Sequence, residues 1–188
     1  MSASSIFKEE QRYETINGKI VMMSSASVHH NIILGNLYSI FNHYLRGKNC
    51  KAIIDVNLFI SKDNTFRPDL MVVCNKSFIK PTSIIGPPAI VVEILSPSTE
   101  KTDKICKMKL YQEFNINEYW LINPFSKSIE IYILENDIYV LHEIYNFYPE
   151  DYTEFMTDEE KSKIIYEFSQ YSFQDLTISI QDIFYNTD

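Results

Sequence analysis

Ala89-Ile90-Val91-Val92-Glu93-Ile94-Leu95 is the stretch whose reading decides the fold. It follows Gly86-Pro87-Pro88 and stops at Ser96-Pro97. An unbroken apolar run between such turn residues predicts a strand covered on both faces. Alternation puts Val91, Glu93 and Leu95 on one face and Ile90, Val92 and Ile94 on the other. A carboxylate is thereby aimed into covered, apolar surroundings, which is costly unless something compensates its charge. The compensator is a Lys or Arg partner, a set of hydrogen-bond donors, or a metal ion. A second acid stands in Arg67-Pro68-Asp69-Leu70, at the edge of another strand. An Asp after Pro also reads as a turn residue. Two acids on neighbouring strands, aimed at one point, are the minimum equipment of a divalent-cation site.

Outward from this strand, Ser98 or Thr99 opens a helix reaching about Phe114. At 100° per residue, Cys106, Leu110, Phe114, Lys107 and Tyr111 fall in one sector with Asp103 at its centre. Lys104, Lys109 and Gln112 fall outside it. Lys107 and Asp103 are either a surface i,i+4 ion pair or a pair brought over the carboxylates. Upstream, residues 11–24 form two short strands about the turn Asn17-Gly18. On the residues alone, Glu14 of this hairpin reads as an exposed strand position. Ser27 caps a helix to about Arg46 with the stripe Ile33, Leu34, Leu37, Ile40, Phe41 and Tyr44. His30 shares that face and reads as a core or capping histidine, or as a ligand.

The spacing predicts strands at 51–61 and 67–74, joined by Lys62-Asp63-Asn64, and further strands at 118–122, 128–134 and 138–144. The element order is helix, three strands, helix, strand, with extra strands at both ends. That describes an α/β (α+β) core in which helices flank a central mixed sheet. Residues 148–170 are expected to be helical and acidic, an insertion within a single domain over 1–188. Pro149 to Glu160 holds six acids and no base.

The 188 residues suffice for one domain with a real core, and 45% hydrophobic residues argue against disorder. A net charge of −8 argues against a broad, non-specific grip on nucleic acid, while leaving room for local basic clusters. Cys50, Cys74 and Cys106 are far apart and odd in number, and are expected to be buried free thiols of a cytoplasmic protein. The first ten residues have no basic stretch followed by an apolar run, which predicts no secretory leader. No apolar run is long enough to cross a bilayer, so no membrane partner is expected. A carboxylate-pair glycosidase gives Lys107 and the strand-to-strand placement of the acids no role.

Pro68-Asp69 on one strand, Glu93 on the next and a helix after it together resemble the PD-(D/E)XK nuclease superfamily. More closely, the chain resembles the bacterial "putative restriction endonuclease" domain family within it. The matching segments are Tyr13-Glu14 with Asn17-Gly18, Met23-Ser24 with His30, Arg67-Pro68-Asp69, and Val92-Glu93-Ile94-Leu95-Ser96-Pro97-Ser98-Thr99. Asp103, Lys107 and Tyr111 follow, then Glu118-Tyr119-Trp120-Leu121-Ile122-Asn123-Pro124. The resemblance covers residues 10 to 145 and the tail from Ile178 to Phe184. It implies a restriction-endonuclease-like core of order αβββαβ and a metal-dependent endonuclease acting on DNA. Asp69, Glu93 and the main-chain carbonyl of Ile94 would hold Mg²⁺ or Mn²⁺. Glu14 and His30 complete the shell or position a second ion, Asp103 holds Lys107, and Tyr111 packs or donates beside it. A homodimer is also implied. One departure stands out. Leu95 fills the slot where the superfamily places its lysine, and the resemblance implies that Lys107 takes over that task. The same departure, with the negative net charge, supports a second class of function: a catalytically silent nuclease fold used for binding or assembly.

Overall fold

Residues 12–187 are described in the computed structural model. The apolar run is strand β8 (Ile90–Ile94), buried along its whole length. It pairs antiparallel with β6 (Leu70–Val73) and parallel with β9 (Glu118–Asn123). Together with β3 (Lys51–Ile54), β10 (Ser128–Glu135) and β11 (Ile138–Asn146) these strands make a six-stranded mixed sheet, in the order β11-β10-β9-β8-β6-β3. A five-stranded sheet, in the order β2-β1-β5-β4-β7, covers part of one face. Its strands are β1 (Tyr13–Ile16), β2 (Lys19–Met22), β4 (Asn57–Ser61), β5 (Asn64–Phe66) and β7 (Ser83–Ile85).

The two faces of β8 enter two separate cores. Ile90, Val92 and Ile94 pack with Ile33, Leu37 and Phe41 of helix α1 (Val28–Tyr44), with Trp120, and with the C-terminal residues Phe168, Ile178 and Ile183. Val91 and Leu95 pack with Leu58, Phe66, Ile84, Tyr111 and Tyr119. Burying each such large side chain contributes about 1.5–3 kcal/mol, so both cores clamp this strand in place. Ser27 caps α1, its hydroxyl accepting from the His30 N–H at 3.1 Å. Asn17 and Gly18 have φ of 51° and 74°, the left-handed pair that a two-residue hairpin turn requires. The Gly18 N–H then donates to the Asp63 carbonyl, tying the hairpin to the β4–β5 turn.

Several expectations need correction. The run 51–61 is two strands, because Asp55 takes φ of 55° and turns the chain from one sheet to the other. Strand 67–74 begins only at Leu70, with Pro68 lacking the N–H a ladder needs. Cys50 and Cys74 are bonded to each other rather than free, and Cys106 is exposed. The β3–β6 register, Lys51 opposite Val73, brings Cys50 and Cys74 opposite one another at the next step. The helix after β8 contains a π-helical segment (Thr102–Lys107) before α2 (Met108–Glu113). The wider turn shifts the phase, so Asp103, Lys107 and Tyr111 face inward while Cys106 faces out. The acidic stretch holds two short helices, α3 (Glu150–Thr153) and α4 (Asp158–Lys161). It continues into β12 (Glu167–Ser169), which pairs with β13 (Thr177–Ser179) ahead of α5 (Ile180–Ile183).

Candidate active site

The strand registers place the acids. Leu70 lies opposite Val92, so one step further along the two strands Asp69 comes opposite Glu93. Residues opposite one another in an antiparallel pair share a face. The Asp69 carboxylate accepts the Ile94 N–H at 2.7 Å through Oδ2 and contacts His30 Nε2 at 3.1 Å through Oδ1. Glu93 Oε1 accepts from Lys107 Nζ at 3.1 Å and from the Tyr111 hydroxyl at 2.8 Å. Lys107 Nζ also meets Glu14 Oε1 at 3.0 Å and Asp103 Oδ1 at 3.2 Å. Glu14 Oε1 accepts the Arg67 N–H at 2.9 Å. The Asp103–Lys107 pair is therefore a buried one. Glu14 is buried as well, because β1 joins β5 and turns its inner face onto the site.

Seven side chains named from the sequence thus converge: Glu14, His30, Asp69, Glu93, Asp103, Lys107 and Tyr111. Two further residues were not singled out. Tyr119 donates its hydroxyl to the Asp103 carbonyl at 3.2 Å, and the Phe66 ring lies 5.8 Å from Lys107 Nζ. The sequence does mark Tyr119, since alternation along β9 puts it on the side of Leu121, the face of Glu93. The side chains of Glu93 and Lys107 are each 5% exposed and that of Asp69 18%, so solvent reaches the cluster from the Asp69 side.

Burial and charge set the protonation. Glu93 is pushed well up by burial and by its neighbours Asp103, Asp69 and Glu14, against the opposing pull of Lys107. Asp103 is raised by burial, again against Lys107. Burial pulls Lys107 down, but Glu93, Glu14 and Asp103 more than reverse this and hold it firmly protonated. Burial likewise lowers His30, and its bond to Asp69 outweighs that and raises it. Burial and Glu93 raise Tyr111, which stays a neutral donor. Four carboxyl groups face one ammonium and one imidazole. The cluster therefore carries more acid than its own bases neutralise, and that surplus falls on Glu93, whose affinity for a proton it raises together with burial.

This sheet, with paired acids at the junction of two antiparallel strands and a lysine from the following helix, defines a nuclease-like α+β protein. The chain belongs to the Uma2 family, described as "Putative restriction endonuclease", whose model matches residues 2–156. It is 31% identical over 133 residues to the uncharacterized protein slr1290 of Synechocystis sp., covering 69% of this chain and 70% of that one. A second Synechocystis protein, sll1609, is 28% identical over 139 residues, covering 70% and 78%. The crystal structure of a "putative nuclease" from Anabaena variabilis superposes with a TM-score of 0.69 over 96% of this chain and 94% of that one. At 20% identity that likeness establishes the fold.

Proposed function

We propose that the protein is a divalent-metal-dependent endonuclease that hydrolyses DNA phosphodiester bonds at the Asp69–Glu93 cluster. The observation that carries this reading is the opposition of Asp69 and Glu93 across β6 and β8, within an acid cluster its own bases do not balance. Among the described residues no three His, Cys, Asp or Glu side chains form a ready cage for an ion. The residues still fit a hard cation, which accepts two carboxylates, a carbonyl and water. Asp69, Glu93 and the Ile94 carbonyl would hold Mg²⁺ or Mn²⁺. Bound there, the ion would supply Lewis acidity and a water of lowered pKa.

The chain's own groups do the rest. Lys107 is protonated and so serves as an electrostatic partner for charge developing on the phosphoryl oxygens rather than as a base. Asp103 and Glu14 hold its ammonium in place. Tyr111 fixes Glu93 by donating to Oε1, and the Ile94 N–H and His30 fix Asp69. His30 and Glu14 stand where they could also take part in a second cation site. The enzyme would act in the cytoplasm, where its DNA lies. Exposed Ile20, Val21 and Met22 on the edge strand β2 support a homodimer. Among the described residues no helix is long and apolar enough to cross a membrane.

The test is cleavage of plasmid, single-stranded and branched DNA in magnesium and in EDTA. Cleavage is expected only with magnesium, and Asp69→Ala and Glu93→Ala should each reduce it on the order of 10²–10³-fold or more with the fold retained. If both variants cut like the parent, the assignment fails. The absence of any cleavage would favour the silent binding module, which the missing Glu-x-Lys pattern also suggests.

A further inference from the structure

We infer that Arg12 and Arg67 form a clamp for a DNA backbone phosphate beside the acid cluster, held ready by Asp55. The ligand's identity rests on the nuclease reading. Arg12 Nη1 donates to Asp55 Oδ1 at 2.9 Å, and Arg67 Nε donates to the same oxygen at 2.7 Å. Arg67 Nη2 donates to the Asp55 carbonyl at 3.0 Å. Two guanidiniums thus share one carboxylate oxygen, which leaves one positive charge in excess.

The position of this group is set by the sheet. In the β3–β6 ladder Ile54 lies opposite Leu70, so the next positions are Asp55 and Asp69. One step past β8's pairing, Asp69 comes opposite Glu93. Asp55, where the backbone turns out of this ladder, therefore leaves β3 beside Asp69, which in turn lies opposite Glu93, and the arginines on Asp55 border the cluster. Arg67 is two residues from Asp69, and its N–H donates to Glu14. Arg12 is two residues before Glu14, and its carbonyl accepts the Met23 N–H, which extends the hairpin to that point. The side chains of Arg12, Asp55 and Arg67 are 55%, 40% and 27% exposed, so all three reach solvent.

Stability gives little reason for the arrangement. Exposed ion pairs contribute about 0–1 kcal/mol, and Asp55 adopts a left-handed backbone that L residues disfavour. Recognition gives a better one. A chain of net charge −8 with a surplus of acid at its centre repels a polyanion. Paired guanidiniums at the rim offer the forked donors that suit phosphate oxygens, and a phosphate arriving there would replace Asp55 as the acceptor.

The experiment measures binding of a short fluorescent DNA duplex in EDTA across a salt series, with cleavage in magnesium measured alongside. Arg67→Gln and Arg12→Gln should each reduce the steepness of log affinity against log salt by about 0.9, the value of one phosphate contact. Asp55→Asn keeps a residue that tolerates the left-handed backbone, and its amide oxygen and main-chain carbonyl still accept from the two arginines, while the competing negative charge is gone, so it should tighten binding. If Arg67→Gln fails to fold by circular dichroism, the exposed Arg12→Gln decides. An unchanged slope, a weaker Asp55→Asn complex, or no binding by the parent overturns the clamp. A parent that cuts DNA with an unchanged slope in both arginine variants keeps the nuclease reading and loses the clamp. A reduced slope in a protein that does not cut keeps the clamp and loses the nuclease reading.

Discussion

Glu93 and Glu118 are buried glutamates on adjacent strands, and their surroundings could hardly differ more. In the parallel β8–β9 register Glu118 lies beside Ile90 and Glu93 beside Leu121, so the two carboxylates point to opposite faces of the sheet. Glu118 is met by neutral donors. Trp120 Nε1 and Gln170 Nε2 donate to Oε1 at 2.7 and 2.6 Å, and the Ser172 hydroxyl donates to Oε2. Gln170 Oε1 in turn accepts the Phe173 N–H. That network is closed and binds the C-terminal segment to the sheet. Glu93 instead shares one ammonium with two other acids and faces Asp69 across the strand boundary. A buried polar network stabilises when every member is satisfied, whereas a surplus of like charge is tolerated where an outside group completes it.

Lys107→Ala should be the most disruptive change on this contrast. It leaves Glu14, Glu93 and Asp103 buried without their cation, and should cost about 3–5 kcal/mol in denaturant unfolding. Magnesium should act in the opposite direction. At about 100-fold excess over Kd it should add about 2.7 kcal/mol to the parent, read as a rise in Tm, and nothing to Glu93→Gln. Glu118→Gln should cost about 1–3 kcal/mol by disturbing a satisfied network, while leaving cleavage and the magnesium response intact. If Glu118→Gln abolished the magnesium response, the division between the two faces would be wrong.

The smallest effect concerns pH. Burial holds the folded-state pKa of Glu93 above its unfolded value. Such a group contributes stability that is fully present below the unfolded pKa and is lost as pH rises through the folded one. In EDTA, Glu93→Gln should therefore lose less stability than the parent as pH climbs above the ordinary glutamate range. A parent and variant with parallel Tm profiles would show that Glu93 ionises in the fold without penalty.

What the sequence could reveal tracks how local each determinant is. β8 was legible because a continuous apolar run between prolines has few alternatives, and its alternation separated the two cores correctly. The Asn17-Gly18 turn and the Ser27 cap are decided within a few residues. The inward placement of Asp103, Lys107 and Tyr111 followed from helical spacing, although the π-helical segment turned Cys106 outward. Glu14 looked exposed because its burial depends on Thr15 meeting Thr65, fifty residues away. The Cys50–Cys74 bond depends in the same way on the β3–β6 register. Asp55 was hidden because a left-handed residue inside KAIIDVNLFIS leaves the pattern of the run unaltered.

Calorimetric titration of the parent and of Glu93→Gln with Mn²⁺ tests most directly whether the interior acids await a metal ion. Saturable heat from the parent, strengthening as pH rises and absent from the variant, is the expected result. No heat from the parent, or equal heat from both proteins, would mean that Lys107 and His30 already satisfy these carboxylates and that no ion belongs between them.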